Sequence, residues 1–394
     1  MAIDIDELLK YAAKYGASDL HITAGNQPII RVNGRLKRIP GPSLTAEEAR
    51  ILLFSILSEE QRDKLEKRQE IDLSYSWKNT PRFGLPIVNE KSVARFGSHE
   101  RVDSTAYIKL DYLSSDRVRA RVNVFLEIGG IGAAFRIIPA RIRTLDELPA
   151  PDSVKELIRK RKGFVLVTGP TGCGKSTTLA SMIDFIDRER CERIITIEDP
   201  IEYIFQGKSC LISQREIGIH STSFASALRA CLREDPDVIL VGEMRDLETI
   251  ALALTAAETG HLVLSTLHTN NVAETVDRVI DVFPPEQHEY VRQLFANVIT
   301  GIISQVLIPR KDGRGRAAAM EILVATPAIR NQIREAKSYQ IPSLVQTGSQ
   351  YGMQTMDQCL SNLIRKGLIT QQMAGEFATD KKLFKHEAES ETIE

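Results

Sequence analysis

One stretch of nine residues decides the fold: Gly169-Pro170-Thr171-Gly172-Cys173-Gly174-Lys175-Ser176-Thr177. It fits the pattern G-x-x-x-x-G-K-[ST]. An apolar, β-branched run at 164–168 precedes it, and a stretch with helical spacing of apolar residues at 177–186 follows it. In that context, glycines let backbone N–H groups surround a phosphate, and the helix N-terminus adds partial positive charge. The alternative is a chance glycine turn, against which the complete pattern argues.

The loop predicts a binding site for a nucleoside triphosphate, ATP, together with Mg²⁺. Lys175 should reach the β- and γ-phosphates, and the Ser176 hydroxyl should ligate the Mg²⁺. The other residues of the loop would offer their backbone N–H groups to the same phosphates.

Composition sets wider limits. With 394 residues, 43% hydrophobic and 26% charged, the chain reads as a globular protein of two or three domains. A net charge of −1 argues against a partner chosen by charge alone, such as nucleic acid or an anionic membrane. No apolar run reaches the roughly 20 residues that span a bilayer, and the acidic N-terminus does not resemble a signal peptide. Five scattered cysteines argue against a disulfide framework and a tetracysteine zinc site. We expect a cytoplasmic protein.

Residues 1–138 are expected to form an α+β domain. Residues 3–15 have helical periodicity, strands are predicted on both sides of a turn at Asn33-Gly34, and Thr45 with Glu48 makes a capping box that starts a helix. From about 76 to 116 the polarity is mixed and only short apolar runs occur.

Two arginine-bearing strands close this domain. Basic and apolar residues alternate over 117–125, which includes Arg119 and Arg121, and Arg136 lies in an apolar strand at 133–138. Arginines in such a pattern most often line a solvated face. In a ring of subunits, such arginines could instead reach a neighbour's nucleotide and stabilise charge on its γ-phosphate.

A linker is predicted at 139–151, which holds three prolines and few apolar residues. Over 152–394 strands alternate with helices, the pattern of a parallel α/β sheet. Further buried strands are predicted at 193–197, 237–241 and 261–267, with helical segments over most of the chain from there to about residue 377.

Polar residues that follow these strands should meet at one edge of the sheet, because ligands bind at the carboxyl ends of parallel strands. Glu198, Asp199 and Glu202 follow the second strand, Glu243 the third and His268 the fourth. ATP hydrolysis needs Mg²⁺ and a carboxylate that orients the attacking water. Glu243 and Glu202 are the candidates, and the sequence leaves their division of roles open. Singly, such carboxylates are more often helix caps.

Two histidines flank the fourth strand, His261 and His268. A single histidine beside an apolar strand is most often structural, and metal ligation needs further ligands. Near a triphosphate, either one could hydrogen-bond the γ-phosphate and relay its loss into movement.

Five segments carry a family resemblance: DLHI at 19–22, the loop at 169–177, TIEDPIE at 196–202, REDPDVILVGEMRD at 233–246 and GHLVLSTLHT at 260–269. Together they resemble the secretion ATPases, and within that superfamily the PilT family of type IV pilus retraction ATPases. The resemblance covers about residues 1–75 and 117–375. It implies an α/β protein with a PAS-like N-terminal α+β domain and a RecA-like P-loop ATPase domain with a helical C-terminal part.

The resemblance also implies roles. It makes the loop the Walker A motif, places Glu198 and Asp199 in an Asp box beside the nucleotide, and makes Glu243 the end of Walker B and a Mg²⁺ ligand. His261 and His268 fall in the His box, and Arg121 and Arg136 match arginines offered to a neighbour's nucleotide. The implied partners are further copies in a homohexamer, the inner-membrane platform protein of the pilus machine and a paralogous retraction ATPase, without nucleic acid. The implied location is cytoplasmic and peripheral at the inner membrane.

Residues 327–335, PAIRNQIRE, are similar to an element that these ATPases need for retraction rather than hydrolysis. Gln332 stands where the family has leucine, 76–116 resembles an insertion that ordinary members lack, and the stretch before Phe135 lacks the usual Asn-Arg-Gly turn. These departures suggest a divergent or paralogous retraction motor.

Four other functions compete with retraction. A PilU-like accessory motor is the nearest, but the PAIRNQIRE segment favours PilT-like retraction. Pilus-extension and type II secretion ATPases usually carry extra N-terminal domains and a tetracysteine zinc insertion. A nucleotide-gated scaffold without hydrolysis is disfavoured by Lys175, Glu202 and Glu243. Neutral net charge and the lack of a basic–aromatic run disfavour a nucleic-acid translocase.

Overall fold

The computed structural model describes residues 4–32, 34–76, 119–138, 141–313 and 315–384. The chain divides into two compact units, Met1–Arg141 and Ile142–Glu394. Asn33 of the predicted turn, and the predicted insertion apart from Ser76, lie outside the described residues. None of the helices within the described ranges combines the length and the apolar character that crossing a membrane requires.

The first unit is a six-stranded antiparallel sheet with helices packed against it. Its elements are α1 (Ile5–Lys14), β1 (Asp19–Thr23), β2 (Ile29–Val32), β3 (Arg35–Arg38), α2 (Ala46–Phe54), α3 (Glu59–Arg68), β4 (Glu70–Ser76), β5 (Arg119–Glu127) and β6 (Gly130–Ile138). The strand order is β3-β2-β1-β6-β5-β4. In β1, Leu20 is fully buried opposite Phe135 of β6, and both belong to the core of this unit.

Two predicted local features are confirmed in this unit. Val32 pairs with Arg35, so β2 and β3 are joined by a two-residue hairpin connection. At the start of α2, the Glu48 N–H donates to Thr45 Oγ1 (3.2 Å) and the Thr45 N–H donates to Glu48 Oε2 (2.8 Å). This reciprocal capping box satisfies two backbone donors that the helix itself leaves unpaired.

The second unit is a seven-stranded sheet of the α/β class in the order β13-β12-β7-β11-β10-β8-β9. Its β12–β13 pair is antiparallel, and every other neighbouring pair is parallel. The elements are α4 (Asp152–Arg159), β7 (Gly163–Thr168), α5 (Lys175–Glu189), β8 (Arg193–Glu198), β9 (Leu211–Glu216), α6 (Phe224–Cys231), β10 (Val238–Val241), α7 (Leu247–Glu258), β11 (Leu262–Leu267), α8 (Val272–Asp281), α9 (His288–Val298), β12 (Ile299–Pro309), β13 (Arg316–Val324), α10 (Pro327–Arg334), α11 (Ile341–Thr347), α12 (Met356–Arg365) and α13 (Gln371–Phe377).

The structure corrects one expectation in this unit. A helical C-terminal part is present, but two long strands, β12 and β13, stand within the stretch where helices were expected. β12 is rich in β-branched residues, and its first seven residues are buried. A strand buried on both faces shows no alternation of apolar and polar residues, so periodicity alone did not distinguish it from a buried helix.

Candidate active site

The phosphate loop joins the carboxyl end of β7 to the first turn of α5, which confirms the strand–loop–helix context. The backbone at Gly169 and Gly174 has φ values of 138° and 92°, which side-chain-bearing residues rarely adopt. At Gly169 space is also closed, because a Cβ would lie 2.3 Å from the Gln305 carbonyl oxygen and 2.7 Å from Cys173 Sγ. Only glycine fits that position.

The donors at the loop fit a triphosphate. No described side chain caps the first turn of α5, so the backbone N–H groups after Gly174 are left for an anion. Residues 170–172 are exposed, while Cys173 is buried beneath them. Lys175 and the hydroxyls of Ser176 and Thr177 follow on the same turn. Backbone N–H, ammonium and hydroxyl groups are the groups that phosphate oxygens and their Mg²⁺ require.

Lys175 folds back onto the loop. Its Nζ donates to the carbonyl oxygens of Gly169 (2.8 Å) and Pro170 (3.2 Å), and it lies 3.4 Å from His268 Nδ1. Burial lowers the pKa of Lys175, whereas nearby negative groups, including Glu243 and Glu202, act to raise it. Phosphate oxygens are stronger acceptors than peptide carbonyls, so a bound triphosphate would draw the ammonium away from these carbonyls.

Glu243 follows β10 and lies between Arg245 and His268. Its Oε1 is 3.1 Å from His268 Nε2, and its Oε2 accepts a 2.8 Å hydrogen bond from Arg245 Nη2. Burial opposes ionisation of Glu243, but the hydrogen bond and charge of Arg245, with His268 and Lys175, outweigh it and hold the pKa of Glu243 below its ordinary value. Glu243 is therefore an ionised carboxylate at neutral pH.

The predicted acidic residues after β8 differ in their surroundings. Asp199 is exposed, and its charge adds to that of Glu243 in raising the pKa of Arg245. Glu202 is partly buried and acts electrostatically on Lys175. Glu198 Oε1 accepts hydrogen bonds from Thr196 Oγ1 (2.8 Å) and Gln214 Nε2 (3.3 Å). Burial nevertheless raises the pKa of Glu198 to about 7.

Glu198 should make stability depend on pH. Its pKa rises from 4.5 to about 7 on folding, so the native chain holds this proton more tightly than the unfolded chain and loses stability as pH rises through that interval. The loss would reach at most about 3 kcal/mol. In nucleotide-free urea unfolding followed by circular dichroism, we expect Glu198→Gln to gain stability over the parent between pH 5 and pH 8. If the free energy of unfolding changed equally with pH in the two proteins, this prediction would be contradicted.

The structure separates the two predicted histidines. His268 contacts both Lys175 and Glu243 and so joins the two halves of the site. His261 precedes β11, where its Nδ1 lies 2.8 Å from the carbonyl oxygen of Ala256. It stands at the amino ends of the strands, and a strand of this length spans about 20 Å. Within one chain, His261 is therefore not brought to the phosphate loop.

Comparison with known proteins identifies the chain. The family model described as "Type II/IV secretion system protein" matches residues 100–374. The chain belongs to the type II/IV secretion system protein family.

Individual members of this family are similar over nearly the whole chain. The type IV pilus retraction ATPase PilT of Pseudomonas aeruginosa is 47% identical over 376 residues, which cover 95% of this chain and 98% of that protein. A twitching motility protein of Neisseria gonorrhoeae is 48% identical over 347 residues, 88% of this chain and 83% of that protein. The crystal structure of the pilus retraction motor PilT with bound ADP superposes with a TM-score of 0.81 at 44% identity, covering 97% of this chain and 98% of that one.

The arginines predicted to act on a neighbour lie in the first unit of this secretion ATPase. Arg121 of β5 and Arg136 of β6 are paired in register across the sheet, and both are exposed. Arg136 Nε lies 3.3 Å from Asp19 Oδ1. Because both positions are exposed, both arginine side chains are accessible to a partner.

Sequence reasoning missed four residues of the site in this member of the family. Arg245 stands two positions after Glu243 inside a quoted motif, so its charge was visible, although its pairing was not. Tyr203 places its hydroxyl 2.9 Å from Thr177 Oγ1. Gln305 and Arg316 reach the loop from β12 and β13, more than a hundred positions later in the chain. No local pattern signals such distant partners.

The family's PAIRNQIRE segment forms α10, which is anchored by Arg330. Its guanidinium donates to the carbonyl oxygens of Asn297 and Ile299 (2.6 Å each) and of Ala296. These groups lie at the end of α9 and the start of β12, where the helix leaves carbonyls unpaired. Burial lowers the pKa of Arg330. Arg330 is therefore a structural clamp that ties α10 to β12, the strand whose Gln305 contacts the phosphate loop.

Gln332 of α10 carries a buried polar atom, its side-chain carbonyl oxygen. Its Oε1 is buried and accepts no hydrogen bond from the described residues. We expect Gln332→Leu to raise the free energy of unfolding by about 1 kcal/mol, because an unpaired buried polar atom is replaced by an apolar group. Chemical denaturation measures this change. Gln346→Leu, at an exposed position of α11, serves as control. If Gln332→Leu were less stable than the parent, Gln332 Oε1 would have to accept a hydrogen bond in solution.

Proposed function

We propose that this chain is the ATP-hydrolysing motor that drives retraction of type IV pili. The observation that carries the proposal is a continuous line of contacts at the carboxyl edge of the sheet: Arg245 to Glu243, Glu243 to His268, His268 to Lys175, and Lys175 to the carbonyl of Gly169. It brings a phosphate-binding lysine and a hydrolytic carboxylate together. Similarity to a retraction ATPase over nearly the full length of both chains supports the same conclusion.

The loop residues are assigned to nucleotide binding. Backbone N–H groups of 169–174 and the first turn of α5 would bind the phosphates, with Lys175 on the β- and γ-oxygens. Ser176 and Glu243 would hold Mg²⁺, which neutralises charge on the phosphates when bound. In the described part of the chain no group of three or more His, Cys, Asp or Glu could hold a metal by itself. A shared site with phosphate oxygens suits Mg²⁺, which is commonly bound by one or two carboxylates plus phosphates.

The carboxylates divide the remaining work. Glu243 is ionised because the hydrogen bond and charge of Arg245, with His268 and Lys175, hold its pKa below the ordinary value, so it suits a metal or a metal-bound water. Glu202, whose negative charge acts to raise the pKa of Lys175, is assigned to orienting the attacking water. Because the pKa of Glu198 is raised to about 7, this carboxyl is partly protonated at neutral pH. It is therefore a weaker metal ligand than Glu243 and the carboxylate best suited to accept a proton. Asp199 is assigned to holding Arg245 in place.

His268 is assigned to sensing the γ-phosphate. It is the one described side chain that contacts both Lys175 and Glu243. A shift of Lys175 toward a phosphate would therefore change the contacts of the His268 imidazole. His268 lies in the segment between β11 and α8. Loss of the phosphate would then be passed to the start of a helix, which is how nucleotide hydrolysis drives segment movement in other systems.

The phosphate loop at 169–177 contains no arginine that could stabilise charge on the γ-phosphate, which suggests that a neighbouring copy of the chain supplies one. We assign the chain to a homohexamer in which Arg121 and Arg136 of one copy stabilise the γ-phosphate held by the next. The assembly would be cytoplasmic and would act at the inner membrane on the platform protein of the pilus machine, with a paralogous ATPase as a further partner.

The decisive test is genetic. In a deletion strain, we expect excess surface pili and lost twitching motility, both restored by the parent gene and neither by Glu243→Ala. Cells without pili would show that the motor extends pili instead. Restoration by Glu243→Ala would favour the non-hydrolysing scaffold, and an unchanged deletion strain would contradict a principal role in retraction.

The arginine assignment makes a separate prediction. We expect Arg136→Ala to lower ATP turnover about 1000-fold or more while ADP affinity stays within threefold, because the arginine acts on charge that develops during hydrolysis. Arg31→Ala is the matched control, since Arg31 also lies near Asp19 (3.7 Å) on the same sheet. Arg136 is exposed and Arg31 is partly exposed, and both ion pairs lie at the surface, so neither change should cost more than about 1 kcal/mol of stability. Normal turnover of Arg136→Ala would remove this residue from the mechanism.

A further inference from the structure

Gln305 of β12 places a buried amide group against the phosphate loop. Its side chain is 1% exposed. Its Nε2 donates to the carbonyl oxygen of Cys173 (2.7 Å), and its Oε1 accepts from Thr178 Oγ1 (2.8 Å). One side chain thus joins the last turn of the loop to the first turn of α5, and both of its polar ends are satisfied.

The main chain of the same residue meets the other end of the loop. The Gln305 carbonyl oxygen lies so close to Gly169 that a Cβ there would be 2.3 Å away. At Gly174, a Cβ would lie 3.3 Å from Gln305 Nε2 and 3.5 Å from Leu307 Cδ1. Gln305 therefore touches the loop where it leaves β7 and again where it enters α5.

Neighbouring residues of β12 and β13 extend this support. Arg316 of β13 donates from Nη1 to the carbonyl oxygen of Gly172 (3.3 Å). Ser304 donates from Oγ to the carbonyl oxygen of Asn270 (2.9 Å), in the segment between His268 and α8. The two strands thus hold carbonyl groups of the phosphate loop and of the segment that follows β11.

We propose that Gln305 is a positioning residue that sets the shape of the phosphate loop before nucleotide arrives. This inference rests on the proposed function of the loop. By holding the Cys173 carbonyl inward, the amide leaves the Gly174 N–H directed at the phosphates, because the C=O and N–H of one trans peptide plane point in opposite directions. Preorganised donors bind more tightly since no ordering cost is paid on binding. Gln305 itself does not contact the phosphate.

The test replaces the amide by a side chain of similar length. In Gln305→Met, the Cys173 carbonyl loses its donor, and we expect the dissociation constant for ADP to rise at least about tenfold. In the nucleotide-free protein, amide hydrogen exchange in residues 169–178 should become faster. This second readout does not depend on catalysis, and a residue that only fills the core would leave it unchanged at equal stability.

Gln354→Met is the matched control. Gln354 also donates its Nε2 to a backbone carbonyl, that of Met320 (2.8 Å), but it does not touch the loop. We expect its variant to keep the parent's ADP affinity and loop protection. If Gln305→Met does not fold, Thr178→Val removes the other half of the contact with little change in shape and should weaken ADP binding severalfold.

The results that overturn the inference are distinct from those that overturn the function. ADP affinity and loop protection in Gln305→Met within twofold of the parent would show that the amide does not shape the loop. If Gln305→Met is unfolded, ADP affinity and loop protection within twofold of the parent in Thr178→Val would lead to the same conclusion. A parent protein that binds no ADP at all would instead contradict the proposed function.

Discussion

Lys175→Ala should abolish nucleotide binding at working concentrations. The Nζ of Lys175 makes two hydrogen bonds to loop carbonyls, at 2.8 and 3.2 Å, which phosphate oxygens would replace. Charge-assisted hydrogen bonds contribute about 1.5–3 kcal/mol each, so losing both should raise the dissociation constant for ADP about 100-fold or more. Titration of a fluorescent ADP analogue measures this change.

The same variant should keep its fold. Burial lowers the pKa of Lys175, which means that the charged ammonium is less favourable in the folded chain than in water. Removing it should leave the nucleotide-free melting temperature unchanged or slightly higher, while the rise in melting temperature on adding ADP disappears. Lys155→Ala is the control, because Lys155 pairs only with Asp146 and Asp152 in the contacts described. Tight ADP binding by Lys175→Ala would place the nucleotide elsewhere.

The phosphate loop and the strand ends could be predicted because their signals are local. The loop is a contiguous motif, and buried parallel strands such as β7, β10 and β11 are short apolar runs that the chain interrupts with turn residues. Parallel strands bring their carboxyl ends to one edge, so Glu243 and His268 could be placed together before any distance was known.

The remaining features depend on contacts that the sequence does not order. Gln305 reaches Cys173 across 132 positions of chain, through a strand whose apolar run resembles a buried helix. The clamp made by Arg330 is likewise invisible, because its acceptors are backbone carbonyls that any residue could supply.

Glu243→Gln should separate nucleotide binding from hydrolysis. The substitution keeps the size of the side chain but removes the charge that lies between Arg245 and His268. Loss of a catalytic carboxylate typically lowers turnover about 10²–10⁴-fold. In buffer without Mg²⁺, which Glu243 is proposed to ligate, ADP affinity should be equal or higher, because one negative charge near the phosphates is gone. Steady-state phosphate release and ADP titration on the same preparation measure the two effects.

Two further variants locate the origin of the Glu243 effect. Glu189→Gln is the control, since Glu189 forms a similar carboxylate–arginine pair with Arg159 at the far end of α5 and should leave turnover unchanged. Arg245→Ala removes the partner that holds the pKa of Glu243 down, so the acidic limb of the turnover–pH profile should move to higher pH. An unshifted limb, or normal turnover in Glu243→Gln, would assign the essential carboxylate to Glu202 instead, because its charge also reaches Lys175.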